Sequence, residues 1–341
     1  MNHCPKLKTI IWKTYALQGE ACAFSCPADV PTTMRSRISA CPTPKKVAYV
    51  PVYTCETVLA PFLKAGYELL FYDVSRDLTP IFDERVLDRI SVVNLCGYYG
   101  FCSYDREFIR KCSERGIIIV EDTTHSIFSA DGVDPHCDYV VGSMRKWIGV
   151  PAGGFAIKRK GGFSLPVLPP DETHLSMRSM SMRGKQQLLQ AGTPDPQAMQ
   201  KFNDTFWDAE MMLRRIFDSY GSDRDSEYII RHYDFEQLKQ RRRANYQYLL
   251  EHMPEHPQIT VIFPVLKRAL FPATLPCMQR TGTWSSPIWP DKAPRPPPIG
   301  PRAPWWTPKA MATRTTSTAM CCPLPATKDM ELRIWNIYAD R

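Results

Sequence analysis

From residue 47 onward the chain alternates short apolar runs with amphipathic stretches. Apolar runs at residues 47–53, 68–72, 92–95 and 117–120 have the length of buried strands. Between them, residues 55–65, 83–90 and 104–115 repeat apolar side chains at three- and four-residue steps. Strands alternating with helices of that length predict a parallel sheet with right-handed crossovers. Gly66 and Gly116 stand where helix ends need a residue tolerant of positive φ. A further strand is expected at residues 138–141, running into Gly142-Ser143-Met144-Arg145-Lys146.

Beyond residue 159 the pattern thins. A loop at 161–172 leads into a mixed stretch rich in Met and Ser, and helices are expected at 203–219 and 227–253. The second helix carries Lys239, Arg241, Arg242 and Arg243, read as a solvated face or an interface rather than a nucleic-acid surface. Residues 259–266, ITVIFPVL, begin like a strand of a smaller domain. Then the character of the chain changes. Thirteen of its 31 prolines fall between residues 272 and 325, where Trp284, Trp289, Trp305 and Trp306 stand beside Pro296-Pro297-Pro298. That is the composition neither of a domain nor of a polar linker. From residue 328, Met330, Ile334, Ile337 and Tyr338 line one face of a terminal helix. The expected organisation is therefore an irregular segment at 1–44, a large domain at 45–200, and interdomain helices with the start of a small domain at 201–267. A proline-rich segment at 268–327 and a C-terminal helix at 328–341 complete it.

Composition narrows the choice. With 341 residues and 44% hydrophobic content there is room for one large and one small globular domain. No stretch approaches the ~20 apolar residues of a membrane span. The first residues lack the apolar core of a signal peptide, so a cytoplasmic protein is expected. The 12 cysteines include no paired C-x₂-C set, and Cys22 and Cys26 form an isolated C-x₃-C, so no metal site is expected. Of the net charge of +8, the stretch 268–328 contributes +7, from eight Lys/Arg against Asp291. It has no period that would make a basic stripe, so no nucleic-acid partner is expected.

The candidate chemistry lies in residues 117–146, which pair one acid with one lysine. Asp122 ends an apolar run where open α/β sheets place their ligands, and Lys146 follows Ser143 at a strand-to-loop junction. Pyridoxal phosphate needs a lysine for its aldehyde, an acid on its ring nitrogen, a flat group against the ring and donors for its phosphate. Lys146, Asp122 and Ser143 would supply the first, second and fourth, and His125 would contact the ring or its hydroxyl. Singly, each has a plainer reading: a turn or cap residue for Asp122, a solvated charge for Lys146, a core residue for His125.

Four blocks carry a family resemblance: VAYVPVYTCETVLAPFLKAGYELLFYDV (47–74), VNLCGYYGF (93–101), IIIVEDTTHS (117–126) and GSMRKWIGVPAGGFAIKR (142–159). In order and spacing they resemble the DegT/DnrJ/EryC1/StrS aminotransferases, which are fold-type-I pyridoxal phosphate enzymes. Coverage is good from about residue 45 to 159 and weak beyond. The resemblance implies an α/β fold with a mostly parallel sheet and a smaller C-terminal α+β domain. It further implies amino transfer from a donor amino acid to a carbonyl acceptor, often a nucleotide-linked sugar, by a homodimer. Tyr53 is placed near the ring or substrate, although a packed aromatic at a strand end is the equal alternative. Tyr98 and Tyr99, flanked by Gly97 and Gly100, form a turn able to reach the same crevice. Three features depart from the family. Val141 stands where Ser or Thr is common, Ala152 where an acid is common, and no phosphate-binding helix start is found in residues 19–44.

Two readings compete with an active aminotransferase. One is a binding or regulatory protein that keeps the fold without turnover, against which the presence of Lys146 speaks. The other is an inactive product of a frameshifted gene. Shifting the codons of residues 278–284 back by one base permits Tyr-Ala-Glu-Asp-Arg-Asp-Val, which restores acids the segment lacks. The same shift over 315–327 permits a reading that resembles the family's segment before its last helix. A similar slip is expected, on less support, in residues 21–44.

Overall fold

A computed structural model describes residues 21–25, 46–54, 56–129, 133–160, 169–192, 195–216, 221–253, 259–267, 270–272 and 277–279. The terminal helix expected from residue 328 and most of the proline-rich segment lie outside the described residues, as do residues 1–20 and 26–45.

In chain order the elements are β1 (Ala21–Ser25), β2 (Val47–Pro51), α1 (Glu56–Lys64), β3 (Glu68–Val74), β4 (Pro80–Ile81), β5 (Val92–Cys96), α2 (Arg106–Glu114), β6 (Ile118–Asp122), β7 (Tyr139–Ser143) and β8 (Gly154–Lys158). They are followed by α3 (Glu172–Gln190), α4 (Pro196–Ile216), α5 (Arg224–His232), α6 (Phe235–His252), β9 (Ile259–Val261) and β10 (Cys277–Gln279). Eight strands form one sheet in the order β1-β8-β7-β6-β5-β2-β3-β4. Strands β3, β2, β5, β6 and β7 run parallel, whereas β4, β8 and β1 add to the edges antiparallel. This is the expected mixed, mostly parallel α/β sheet. The order of winding reverses between β2 and β5, and their ladder pairs only Ala48 with Val92 and Tyr49 with Val93. Past that point a crevice opens at the carboxyl ends of the strands, the place where sheets of this kind take ligands.

The sheet holds because its central strands are apolar on both faces. Ala48, Val50, Val92, Val93, Leu95, Ile119, Val120 and Val140 are fully buried. Helix α2 buries Phe108, Ile109 and Cys112, and its first turn is closed by Asp105, whose side chain accepts from the backbone N–H groups of Glu107 and Phe108. Gly66 and Gly116, at φ of +77° and +69°, end α1 and α2 as the sequence predicts.

Five elements differ from expectation. The helix expected over 83–90 is a 3₁₀ turn at Glu84–Val86, with Asp83 accepting from the N–H of Arg85; the segment is too short to bury more than Val86, Leu87 and Ile90. The Met- and Ser-rich stretch is a full helix, α3, capped by Asp171. The single helix expected over 227–253 is α5 and α6, because Tyr233 is extended (φ −69°, ψ 140°) and Asp234 starts a new helix by accepting from Gln237 N–H. Within the stretches left irregular by pattern, residues 21–25 form β1, and Cys277–Gln279 pairs with β9 in a two-stranded sheet.

The basic run on α6 also differs from expectation. It faces inward. Lys239 is buried, Arg243 Nη1 donates to the carbonyls of Lys267 and Leu270 at 2.7 Å each, and Arg242 reaches the turn that holds Lys146. Carbonyls at loop and turn ends need donors, and these arginines supply them.

Candidate active site

Asp122 closes β6, paired in register with Cys96 of β5 and Val141 of β7. Its Oδ1 accepts the backbone N–H of Thr124 at 2.9 Å. Burial pushes the carboxyl above its ordinary pKa, while the Thr124 hydrogen bonds and the charge of Lys146 pull it back. The loop that follows is stapled to β7, since Thr123 donates both its N–H (2.7 Å) and its hydroxyl (2.9 Å) to the carbonyl of Val141.

Lys146 ends a 3₁₀ turn, Met144–Lys146, that leaves β7 directly. Its neighbours fix the turn. Met144 is buried and donates its N–H to Gly153 O at 2.7 Å, and the N–H groups of Trp147 and Ile148 return to Met144 O. Trp147 is buried and its indole N–H donates to the carbonyl of Thr124 at 2.8 Å. Between two packed side chains, the Lys146 side chain is left exposed to the crevice. The indole bond ties the lysine's turn to the loop that positions the acid.

Across the crevice His125 stacks on Tyr99, with ring centroids 5.3 Å apart and planes 16° from parallel. The Tyr99 and Tyr53 hydroxyls are 2.9 Å apart, and Tyr98 donates its hydroxyl to Tyr53 O at 2.6 Å. Tyr99 holds φ of +55°, a strained setting for a bulky residue, and so turns back toward the strand ends. Burial, then the charges of Lys146 and Arg242, push His125 down to about 4. At neutral pH it is an uncharged flat ring.

The site is held from behind by a charged cluster. Arg145, next to Lys146, and Arg178 of α3 both pair with Glu210 of α4, and Arg178 lies over the Phe206 ring at 4.1 Å. His174 beside them is fully buried and pushed down to about 4, by burial and then by the two arginines.

Of the residues singled out by sequence, Asp122 is linked to the Lys146 turn through Thr124 and Trp147, and His125 to Tyr53 through Tyr99. Ser143 enters by position alone, as the buried last residue of β7, and its side chain makes no capping bond to the turn. Trp147, Arg242 and the Arg145–Glu210–Arg178 cluster were not anticipated. Trp147 was signalled only by its place after the lysine, and Arg242 lies 96 residues away in a run that reads as solvated. Among the described residues no group of three or more His, Cys, Asp or Glu is arranged to hold a metal ion. Nor is any helix there long and apolar enough to cross a membrane.

No protein-family model and no curated protein matches the sequence. Solved structures do match. Helicobacter pylori PseC, an aminotransferase involved in the biosynthesis of pseudoaminic acid, aligns over 82% of this chain and 70% of its own, at 13% identity and TM-score 0.51. The chain therefore shares the fold of that structure. An alanine–glyoxylate aminotransferase from Nostoc aligns over 84% of this chain and 73% of its own, at 12% identity and TM-score 0.47. A serine palmitoyltransferase with pyridoxal phosphate aligns over 46% of this chain, at 16% identity and TM-score 0.35, and the chain spans only 42% of that protein's length.

Proposed function

We propose that the chain binds pyridoxal phosphate in this crevice and moves an amino group from a donor amino acid to a carbonyl acceptor, as a member of the DegT/DnrJ/EryC1/StrS aminotransferases. The observation that carries the reading is that Asp122 closes β6 and Lys146 ends the turn leaving the neighbouring β7, the two tied together by the Trp147–Thr124 and Thr124–Asp122 hydrogen bonds. The residues present suit the cofactor. An exposed lysine, a half-buried acid and a flat neutral ring stack meet beside the point where the sheet's winding reverses. Ser143 is the one candidate phosphate donor among the described residues, and of the stretch 19–44, where the family's helix start would fall, only β1 is described.

When bound, the cofactor supplies an electron sink that acidifies the carbon bearing the amino group. Lys146 would hold the cofactor through its Nζ and, as an amine, would serve as the general base that moves a proton at the substrate carbon. Asp122 would pair with the ring nitrogen and favour its protonated form. His125 on Tyr99 forms a wall whose neutrality avoids repelling the ring nitrogen's charge. A nucleotide-linked sugar as acceptor and a homodimer as the assembly rest on the family resemblance alone; the inward-facing basic residues of α6 lend the dimer no support.

The test is covalent capture. Purified chain mixed with pyridoxal phosphate and reduced with borohydride is expected to carry the cofactor on the Lys146 peptide, and Lys146→Ala to carry none. A folded wild-type chain without that label sinks the reading. Light scattering decides the assembly: a strict monomer that still captures cofactor removes the dimer.

A further inference from the structure

Arg242 sits on α6, yet its Nη2 donates to the backbone carbonyls of both Lys146 and Trp147 at 3.3 Å, and its guanidinium carbon lies 4.7 Å from the Trp147 ring centroid. The last carbonyls of a helical turn have no partner within the turn. One guanidinium nitrogen serves both carbonyls here while the planar group lies over the indole, a flat stack that an ammonium cannot make. The contact continues inward, because the Trp147 indole donates to Thr124 O and the Thr124 N–H donates to Asp122. One rotation of this turn is therefore tied at one end to α6 and at the other to the acid.

The same face of α6 grips the segment that leads toward the second sheet. Lys239 Nζ lies 5.1 Å from the Phe271 ring centroid, and Arg243 donates to Lys267 O and Leu270 O. Positions 239, 242 and 243 are three and four residues apart and so share a face. Any shift of that segment reaches the lysine's turn through one rigid helix.

We propose that Arg242 is a positioning residue, which sets where the Lys146 amine stands against Asp122 and couples that placement to α6 and the segment it holds. This rests on the cofactor reading above. Arg242 holds the turn through its backbone carbonyls and the Trp147 indole, so it acts on the reacting groups by placing Lys146.

The experiment uses the full chain, with Arg242→Met, Arg242→Lys and the neighbouring Arg241→Met as control. Two readouts apply to each: the rate of borohydride-trapped pyridoxal phosphate capture at Lys146, and acetic anhydride labelling of Lys146 relative to Lys158, which needs no cofactor. Arg242→Met is expected to slow capture about tenfold or more and to change the Lys146/Lys158 labelling ratio, with circular dichroism near wild type. Arg242→Lys is expected to stay slow, since an ammonium cannot lie flat on the Trp147 indole while it reaches both carbonyls, and Arg241→Met to match wild type. Unchanged capture and labelling in a folded Arg242→Met overturns the proposal. If that variant does not fold, Arg242→Lys decides in the same way. Failure of both to fold also overturns it, because Arg242 then serves the fold and not the turn. A wild-type chain that captures no cofactor refutes the cofactor reading, and the anhydride ratio still judges Arg242.

Discussion

Glu121 and Asp122 are neighbouring carboxyls on β6 that face opposite sides of the sheet. Glu121 is fully buried, accepts the N–H of Asp134 at 2.8 Å, and is pushed by burial to about 8, against the pull of that bond and of Arg106. Asp122 is half-buried. One strand end thus holds a structural acid and the acid proposed to meet the cofactor.

The structural acid makes stability depend on pH. With a folded pKa above the unfolded value, the Glu121 contribution is fully present below about 4.5 and is lost as pH rises through about 8. His125 and His174, at about 4 when folded, act the other way, and their contribution is lost as pH falls from about 6.5 through about 4. Between about pH 6.5 and 8 only Glu121 of these three changes stability. Urea midpoints are expected to fall across that window in the wild type and to stay level in Glu121→Gln.

Asp122→Asn should separate capture from turnover. The variant keeps Lys146 and is expected to capture pyridoxal phosphate, while amino transfer falls on the order of a hundredfold, the scale of losing one electrostatic partner of the reacting group. Single-turnover kinetics with an amino donor would read it. Unchanged turnover makes Asp122 a turn residue.

Glu210→Gln leaves Arg145 and Arg178 buried without their shared carboxylate. Breaking such a cluster is expected to cost roughly 3 kcal/mol, at the low end for buried pairs because the Glu210 side chain keeps 29% of its exposure. Chemical denaturation measures it, and a loss well below 1 kcal/mol contradicts the cluster's role.

The sheet and the acid–lysine pair were legible because buried parallel strands leave unbroken apolar runs, and strand ends mark the ligand side. The rest hid for physical reasons. Helix α3 buries His174, Leu175, Arg178, Ser181 and Gly184 at helical spacing, but four of the five are polar or small, so hydrophobic periodicity passes over it. Gly184 is small because a Cβ there would stand 2.2 Å from the Phe202 ring on α4. Arg242 hid in a run of three arginines, since its partners are backbone carbonyls, which no sequence pattern records. The break before α6 was signalled by Asp234 and Gln237, a cap spacing hidden by the apolar repeat running across it.

Much of the stretch 268–327 is proposed to be translated out of frame. The nucleotide sequence is expected to read on without stop codons in the shifted frame and to restore alternating acids and apolar residues there. Stop codons in that frame end the proposal and make the segment a genuine insertion.

Strand β1 has a protective consequence. It pairs all five residues of β8, from Gly154 to Lys158, whose Phe155 and Ile157 are fully buried. Without it, β8 would become the sheet's open rim, a row of unpaired backbone donors and acceptors on an apolar strand, which is the usual template for chain-to-chain pairing. Five residues near the amino end, distant in sequence from Lys146, thus guard the sheet that carries it against self-association.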